Sequence, residues 1–257
     1  MGFSERQSDI LHLVRAEGFV SVEDLSQRYG VTLQTIRRDI NALCDVGLLR
    51  RHHGGAGLPT SYENAAYDHR EVMQAEEKRR IAQCVAGLIP NRASLFIGIG
   101  TTAAEVARAL LDHDGLRVVT NNLNVAELLC RNLSFEVIVA GGRARNRERD
   151  FIGEAALAVF RDIRADYGIL GAGGVDSDGS LRDFDFDEVR LSRLIVENSH
   201  HPILAVDHSK FDRQATVRFA HLTEIRSLVT DNPPPTAIVE AAQKADIALH
   251  VAVAGGQ

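Results

Sequence analysis

Two groups of residues have the types and spacing to do chemistry. The first lies in Thr32 to Cys44, T-L-Q-T-I-R-R-D-I-N-A-L-C. Wound as a helix, at about 100° per residue, this stretch puts Leu33, Ile36, Ile40, Leu43 and Cys44 on one face and Gln34, Arg38 and Asn41 on the other, with Thr35 and Arg37 on the flanks. Arg, Gln and Asn can each make paired hydrogen bonds to guanine or adenine edges, and a helix fits a major groove. The pattern predicts a DNA recognition helix; the alternative is an amphipathic helix whose arginines are simply solvated. Soon after, Arg50, Arg51, His52 and His53 run into Gly54-Gly55. They predict a hairpin with a basic tip lying against phosphates, or else a solvated basic turn.

The second group suits a phosphorylated ligand. Gly98-Ile-Gly-Thr-Thr102 separates a strand-like run from a helical one. Glycines there let backbone approach a ligand, Thr101 and Thr102 offer hydroxyls, and a helix N-terminus presents amides, so Gly100, Thr101 and Thr102 predict a phosphate cradle. A plain strand-to-helix turn is the alternative. Asn121 (in T-N-N), Gly141-Gly142, Gly171 to Asp176 and Asp207-His-Ser-Lys210 close later strand-like runs. Ligands of parallel sheets bind at such strand ends. Lys210 is a counter-charge for a phosphate dianion, and Asp207 or Asp185 can accept from hydroxyls. Asp176, Asp185, Glu188 and Asp207 are equally the carboxylates that a proton-transferring isomerase would need.

The elements that must position these groups are legible in outline. Ile10, Leu13 and Val14 recur at helical spacing between Ser4 and Glu17, Gly18 stops that helix, and Phe19-Val20 is extended. Ser21 to Asp24 reads as a cap for a helix over Val22 to Tyr29, with Gly30 as its left-handed stop and Thr32 as the next N-cap. This is the order of a helix-turn-helix with a wing. Pro59 to Asp68 lacks periodicity and reads as linker; helical spacing resumes at Glu71 and runs to Ile89. From Leu95 strand-like and helix-like pieces alternate, which predicts an α/β domain with a mostly parallel sheet. The expected parts are 1–57 for DNA, 58–74 as linker and 75–257 as an α/β domain with a phosphorylated-ligand site at its strand ends.

A net charge of −6 over 257 residues argues at first against a nucleic-acid partner. Residues 1–57, however, balance seven Arg against seven acids and leave the whole excess to the remainder. Their arginines fall late in the segment, so charge placement favours DNA at one end. Cys44, Cys84 and Cys130 are isolated, which suits reduced thiols and neither a disulfide nor a zinc site. No apolar run approaches a membrane span and no signal-peptide pattern opens the chain, so a cytoplasmic protein without cofactor or metal is expected.

The run V-T-L-Q-T-I-R-R-D-I-N-A-L followed by G-L-L-R-R-H-H-G-G-A resembles the N-terminal motif of the DeoR family of bacterial transcriptional regulators. I-G-T-T, V-V-T-N, A-G-G, I-G-E, G-V-D-S-D-G and D-H-S-K-F fall in that family's order, so the resemblance spans nearly the whole chain. It implies an N-terminal winged helix-turn-helix followed by a Rossmann-like α/β sensor domain of the ribose-5-phosphate isomerase type. It also implies a repressor and not an enzyme, with double-stranded operator DNA as partner and contacts from Thr35, Arg37, Arg38 and the wing. A homo-oligomer, dimer or tetramer, is expected on a palindromic operator. H-H-G-G-A-G-L-P, N-N-L-N-V-A, G-S-L-R-D-F-D-F-D-E-V-R and T-D-N-P-P-P are similar to the family branch that governs glycerol metabolism. That implies glycerol 3-phosphate, or another sugar phosphate, as inducer. Gly98 stands where many relatives carry Asp, and Asp212 where they carry Gly; Asp tolerates the left-handed region better than most residues.

Overall fold

The computed structural model describes residues 3–17, 19–46, 48–52, 54–57 and 67–253, without the side chains of 15–17, 52, 68 and 69. The chain divides into two compact units, Met1–Arg70 and Glu71–Gln257. The helix stop expected at Gly18, the wing residue His53 and most of the expected linker lie outside the described residues.

The first unit runs α1 (Glu5–Glu17), β1 (Phe19–Ser21), α2 (Val22–Tyr29), α3 (Leu33–Asp45), β2 (Arg50–His52) and β3 (Gly55–Gly57). Local chemistry sets these boundaries. Ser21 Oγ accepts from the Asp24 amide at 3.0 Å, and Gly30 closes α2 with φ 62°. Thr32 Oγ1 accepts from the Thr35 amide at 3.2 Å, opening α3. Ile10 and Val14 of α1, Leu25 of α2 and Ile36, Ile40 and Leu43 of α3 meet Val20, Leu48, Leu49 and Ala56 in one core. Each such fully buried aliphatic side chain contributes about 1.5–3 kcal/mol.

Strand β3 pairs antiparallel with both β1 and β2. Only glycine fits at position 55, because a Cβ there would lie 2.1 Å from the Val20 carbonyl oxygen. Two expectations need correction. Leu33 is 39% exposed, since it opens α3 one turn beyond the core, and Asp39 occupies the buried face instead at 7%. Arg50 and Arg51 are not at a hairpin tip: the register Arg50↔Gly57, Arg51↔Ala56, His52↔Gly55 draws them into the ladder.

Helix α4 (Tyr67–Val72) crosses from the first unit into the second, and α5 (Ala75–Gly87) follows. A single helical run was expected here, but Gln74 adopts φ 51° and separates the two. Then come β4 (Ser94–Ile97), α6 (Thr101–Ala109), β5 (Arg117–Thr120), α7 (Leu123–Leu129), β6 (Glu136–Val139), β7 (Arg143–Arg145), β8 (Asp150–Ile152), α8 (Glu154–Asp162), β9 (Ala165–Leu170), β10 (Gly174–Val175), β11 (Ser180–Asp183), α9 (Phe186–Asn198), β12 (Ser199–Ala205), β13 (Val217–His221), β14 (Ser227–Thr230), α10 (Thr236–Lys244) and β15 (Ala248–Val251).

Seven strands form one sheet in the order β15-β14-β12-β9-β4-β5-β6, every neighbouring pair parallel. Strand β4 comes first in the chain yet lies inside the sheet, with β5 and β6 added on one side and β9 onwards on the other. The chain therefore reverses its direction of growth between β4 and β9, and in open α/β sheets ligands bind at such a point, outside the carboxyl ends of the strands. Side-chain alternation feeds two cores. Phe96, Leu170, Leu204 and Leu228 pack with α8, α9 and α10, whereas Leu95, Ile97, Val118, Ile169, Ile203 and Val229 pack with α5, α6 and α7. The antiparallel pair β7-β8 and sheet β10-β11-β13 were not foreseen; strands of two to five residues with charges or glycine show no clear period. No helix among the described residues is long and apolar enough to cross a membrane.

Candidate nucleic-acid interface and anion-binding edge

Burial of Ile36, Ile40 and Leu43 turns the opposite face of α3 outward. Gln34, Arg37 and Arg38 are exposed on it. Thr35 is half-buried, its hydroxyl 2.9 Å from that of Thr32. Asn41 is also half-buried, and its Oδ1 accepts from Arg51 Nη2 of the wing. That contact ties β2 to α3 beside a cavity of about 300 Å³ lined by Val22, Glu23, Arg37, Ile40, Asn41, Arg51, Gly54 and Gly55. Arg50 and Arg51 are exposed; the His52 side chain is outside the description.

Asp39 was not foreseen as a positioning residue. Its carboxylate accepts from Arg6 Nε at 2.6 Å and Gln7 Nε2 at 3.2 Å, so it clamps α1 to α3. In the sequence it reads as one more charge beside Arg37 and Arg38; only the 3.6-residue period shared with Ile36 and Leu43 signals burial. The cysteines are free, and burial pushes the Cys44 and Cys84 thiols up, away from reactivity.

In the second unit the parallel strands deliver most of the expected ligand residues to one edge. After β4, Gly100 takes φ 107°, a conformation L side chains rarely adopt, and α6 begins at once with buried Thr101 and half-buried Thr102. The first amides of a helix have no acceptor within it and carry its positive end. Thr120 Oγ1 donates to the Ile97 carbonyl at 2.7 Å and Asn122 Nδ2 to the Gly98 carbonyl at 3.5 Å, which ties the ends of β4 and β5 together, while Asn122 Oδ1 caps α7. Asn121 is buried; its Nδ2 donates to the Phe151 carbonyl at 2.9 Å, while its enclosed Oδ1 has no hydrogen-bond partner. Gly141 and Gly142 lead from β6 into β7, and a Cβ at Gly142 would lie 2.5 Å from the Ile152 carbonyl oxygen. A Cβ at Gly98 would meet only the end of the Ile195 side chain closely, at 3.2 Å.

Beyond β12, Asp207 is 1% exposed and accepts from the amide of Ser209 at 3.0 Å and from its hydroxyl. Burial raises its pKa, but the Lys210 ammonium, the Ser209 bonds and the Lys78 ammonium together outweigh that and hold the carboxyl below the ordinary range. Next to it the His208 ring lies 2.6 Å from buried Asp231, whose hydrogen bond raises the imidazole pKa. Lys78 and the His208–Asp231 pair escaped the sequence reading, because nothing in their neighbours marks them as enclosed.

The remaining carboxylates are already engaged. Asp176 sits at the β10–β11 turn, 2.5 Å from Arg182 Nε. Asp185 caps α9, accepting from the amides of Asp187 at 2.8 Å and Glu188 at 3.2 Å, and lies 3.4 Å from Arg145 Nη1. Arg145 also binds buried Asp150 through Nε and Nη2 (2.9 and 2.6 Å) and Glu188 through Nη2 (2.7 Å). Burial and the neighbouring Asp183 push Glu188 up to about 8 against the pull of Arg145, whose charge Asp150 already shares. Arg145 was not foreseen; it lies in the short strand β7 that the sequence does not betray.

Two family models match the chain: a DeoR-like helix-turn-helix domain over residues 6–62 and a DeoR C terminal sensor domain over residues 73–232. The chain is 49% identical over 237 residues to the "Glycerol-3-phosphate regulon repressor" of Escherichia coli (strain K12), covering 92% of this chain and 94% of that one. The protein of the same name from Haemophilus influenzae is 49% identical, with 90% of each chain covered. The HTH-type transcriptional repressor CsqR of Escherichia coli (strain K12) is 40% identical, covering 95% and 94%. Among solved structures, ribose 5 phosphate isomerase A from Neisseria gonorrhoeae superposes with a TM-score of 0.40 at 19% identity, over 55% of this chain and 56% of that one.

Proposed function

Because this chain belongs to the DeoR family of transcriptional regulators, we propose that it is a DNA-binding repressor of glycerol 3-phosphate metabolism genes, released from its operator by glycerol 3-phosphate. The observation that carries the reading is the outward face of α3, where Gln34, Arg37 and Arg38 project opposite a fully buried apolar stripe. An α-helix so presented enters a major groove, and Arg or Gln side chains read base edges there. Arg50, Arg51 and the histidines of the wing take the phosphate backbone. Thr35 and Asn41 border the same surface, with Asn41 reaching DNA once Arg51 turns to a phosphate.

In the proposed division, residues 1–57 bind DNA, 58–74 connect and 75–257 sense. The phosphate of the effector sits on Gly100, Thr101, Thr102 and Lys210, with its hydroxyls toward Asn121, Asp207 and Asp185. Gly141, Gly142 and Asp176 flank that edge. What supports glycerol 3-phosphate over other sugar phosphates is the name shared by two relatives 49% identical to this chain. Gly98, which places no carboxylate at the end of β4, favours weighing other polyol phosphates beside it. Binding without turnover is supported by the engagement of Asp176, Asp185, Asp207 and Glu188 with internal partners, which leaves no free general base among them.

A symmetric oligomer would set two α3 helices one helical turn apart on the operator. Effector binding then favours a conformer of different spacing, and couplings of about 1–3 kcal/mol weaken DNA binding roughly 5- to 150-fold. The deciding experiment is a mobility-shift titration at fixed salt with glycerol 3-phosphate and other sugar phosphates. Operator binding that no phosphorylated compound weakens would dismiss the sensor assignment. Isomerisation of pentose or triose phosphates at enzymatic rates would dismiss the regulator-only reading.

A further inference from the structure

His208 stands between Asp207 and Lys210 in the loop that closes β12. The register Ala205↔Val229 sets the carboxyl ends of β12 and β14 side by side, so Asp231, which follows β14, comes against it. The His208 amide donates to one Asp231 carboxylate oxygen at 2.7 Å, and its ring Nδ1 lies 2.6 Å from the other. Asp231 is fully enclosed, whereas the His208 side chain is 43% exposed. A buried carboxylate is costly unless hydrogen bonds compensate it. Here both of its oxygens are turned to one residue, which fixes an exposed ring from below.

A carboxylate only accepts, so Nδ1 carries a hydrogen and the proton that His208 gains or loses sits on Nε2. No described residue bonds to Nε2. By contrast, both ring nitrogens of His221 and Nε2 of His201 are engaged within the fold. Water meets a ring in any orientation; a ring locked by a buried partner suits an acceptor of fixed position. The Asp231 hydrogen bond raises the imidazole pKa above the ordinary 6.5 against some burial, and the charges of Asp231, Asp207 and Glu77 add to it. Glu77 belongs to α5 and lies 3.9 Å from Arg80 Nη2, and the cations Lys78 and Lys210 act on Asp207. Asp231 already balances the charge of the ring. What stays open is one donor, the protonated Nε2.

We infer that His208 is a further phosphate-binding residue of the effector edge, donating from Nε2 to a phosphate oxygen, with Asp231 as the residue that positions its ring. The inference rests on the effector reading above and makes effector binding depend on pH. An imidazolium donating to a phosphate forms a hydrogen bond that is charge-assisted on both sides. Neutral His208 offers only a lone pair at Nε2, which opposes the ligand. Binding therefore weakens as pH rises through the imidazole pKa of the free protein, and levels off above that of the complex.

The test is a calorimetric titration of glycerol 3-phosphate into the full-length protein without DNA, between about pH 6 and 9, for the wild type and His208→Gln. Both proteins meet the same ionisation of the ligand, so the ratio of their dissociation constants isolates His208. The variant should bind about tenfold more weakly at the acid end, and the ratio should fall toward one at the alkaline end. Asp231→Asn, which keeps the shape and removes the charge, should move that decline to lower pH. A ratio that stays constant across the range, or a decline that Asp231→Asn leaves in place, overturns the inference; where the wild type still binds, the effector site stands. A wild type that binds no phosphorylated compound removes both. Should either variant fail to fold, an NMR titration of the His208 ring in the wild type decides: saturating effector should raise its pKa by about one unit, the equivalent of that tenfold preference, and an unmoved pKa overturns the inference.

Discussion

The clamp between α1 and α3 lends itself to a quantitative test. Asp39 is an acid on the helix assigned to DNA, and its presence there makes sense only if Arg6 and Gln7 neutralise and enclose it. Its side chain is 10% exposed and that of Arg6 33%. Asp39→Ala removes one charged hydrogen bond and one to a neutral amide, together about 2–3 kcal/mol, trimmed somewhat because Arg6 regains water. Arg6→Ala strands a nearly enclosed carboxylate with Gln7 alone, a cost of about 2–3 kcal/mol, below the roughly 3–5 of a fully buried pair. The double variant should cost about 1.5–2 kcal/mol less than the sum of the two, since the pair is lost once. Amide exchange at Ile40 and Leu43 reads the opening of this unit directly, each 1.4 kcal/mol appearing as about a tenfold faster rate. The coupling should change little between about 50 and 500 mM salt, because enclosed charges are weakly screened. A coupling under about 0.5 kcal/mol, the worth of an exposed pair, would refute the claim that Asp39 organises the helix.

Other outcomes follow from single sites. Arg38→Ala should cost about 1–3 kcal/mol of discrimination between operator and altered sequence in competition mobility shifts. Lys210→Ala should require at least about tenfold more glycerol 3-phosphate for half-release, read in the same assay. Asp212 holds φ 57°, so Asp212→Gly should be neutral or slightly stabilising in thermal melts, and Asp212→Val should lose about 1–2 kcal/mol. Glu188 titrates near 8 when folded against an ordinary 4.5, so between those values the folded state keeps a proton that the unfolded state has released. Its contribution to stability is therefore full below about pH 4.5 and declines as pH rises toward 8. Glu188→Gln should flatten that part of the pH dependence of Tm, and an unaltered slope would show that Glu188 is ionised throughout.

Sequence and structure agree where local chemistry decides. Ser21, Gly30 and Thr32 mark helix ends because a hydroxyl or a missing Cβ acts within three or four residues, and the runs L-F-I and R-V-V-T mark strands because parallel strands are apolar on both faces. The carboxyl-edge residues from Gly100 to Lys210 could be nominated for the same reason: strand ends follow from strands. What escaped depends on partners distant in sequence. Asp39 is enclosed by Arg6, thirty-three residues away, and Glu188 by Arg145, forty-three away. Lys78 is buried by the fold of the edge, and no composition rule distinguishes it from Arg79 beside it. Leu33 misled in the opposite sense, since an apolar residue at the right angle still lies outside a core that begins one turn later.

The pairing of β3 with β1 has a practical corollary for anyone who would transplant this reading head onto another sensor. A graft beginning at Leu33 would carry all of α3 together with Arg50 and Arg51, yet would leave the Gly55–Gly57 strand without Phe19–Ser21 along its second side. The transferable module must therefore start no later than Phe19, and with the Arg6 contact it starts at α1. Chimaeras cut inside that limit should emerge as insoluble or DNA-blind proteins even though every exposed polar side chain of α3 is present.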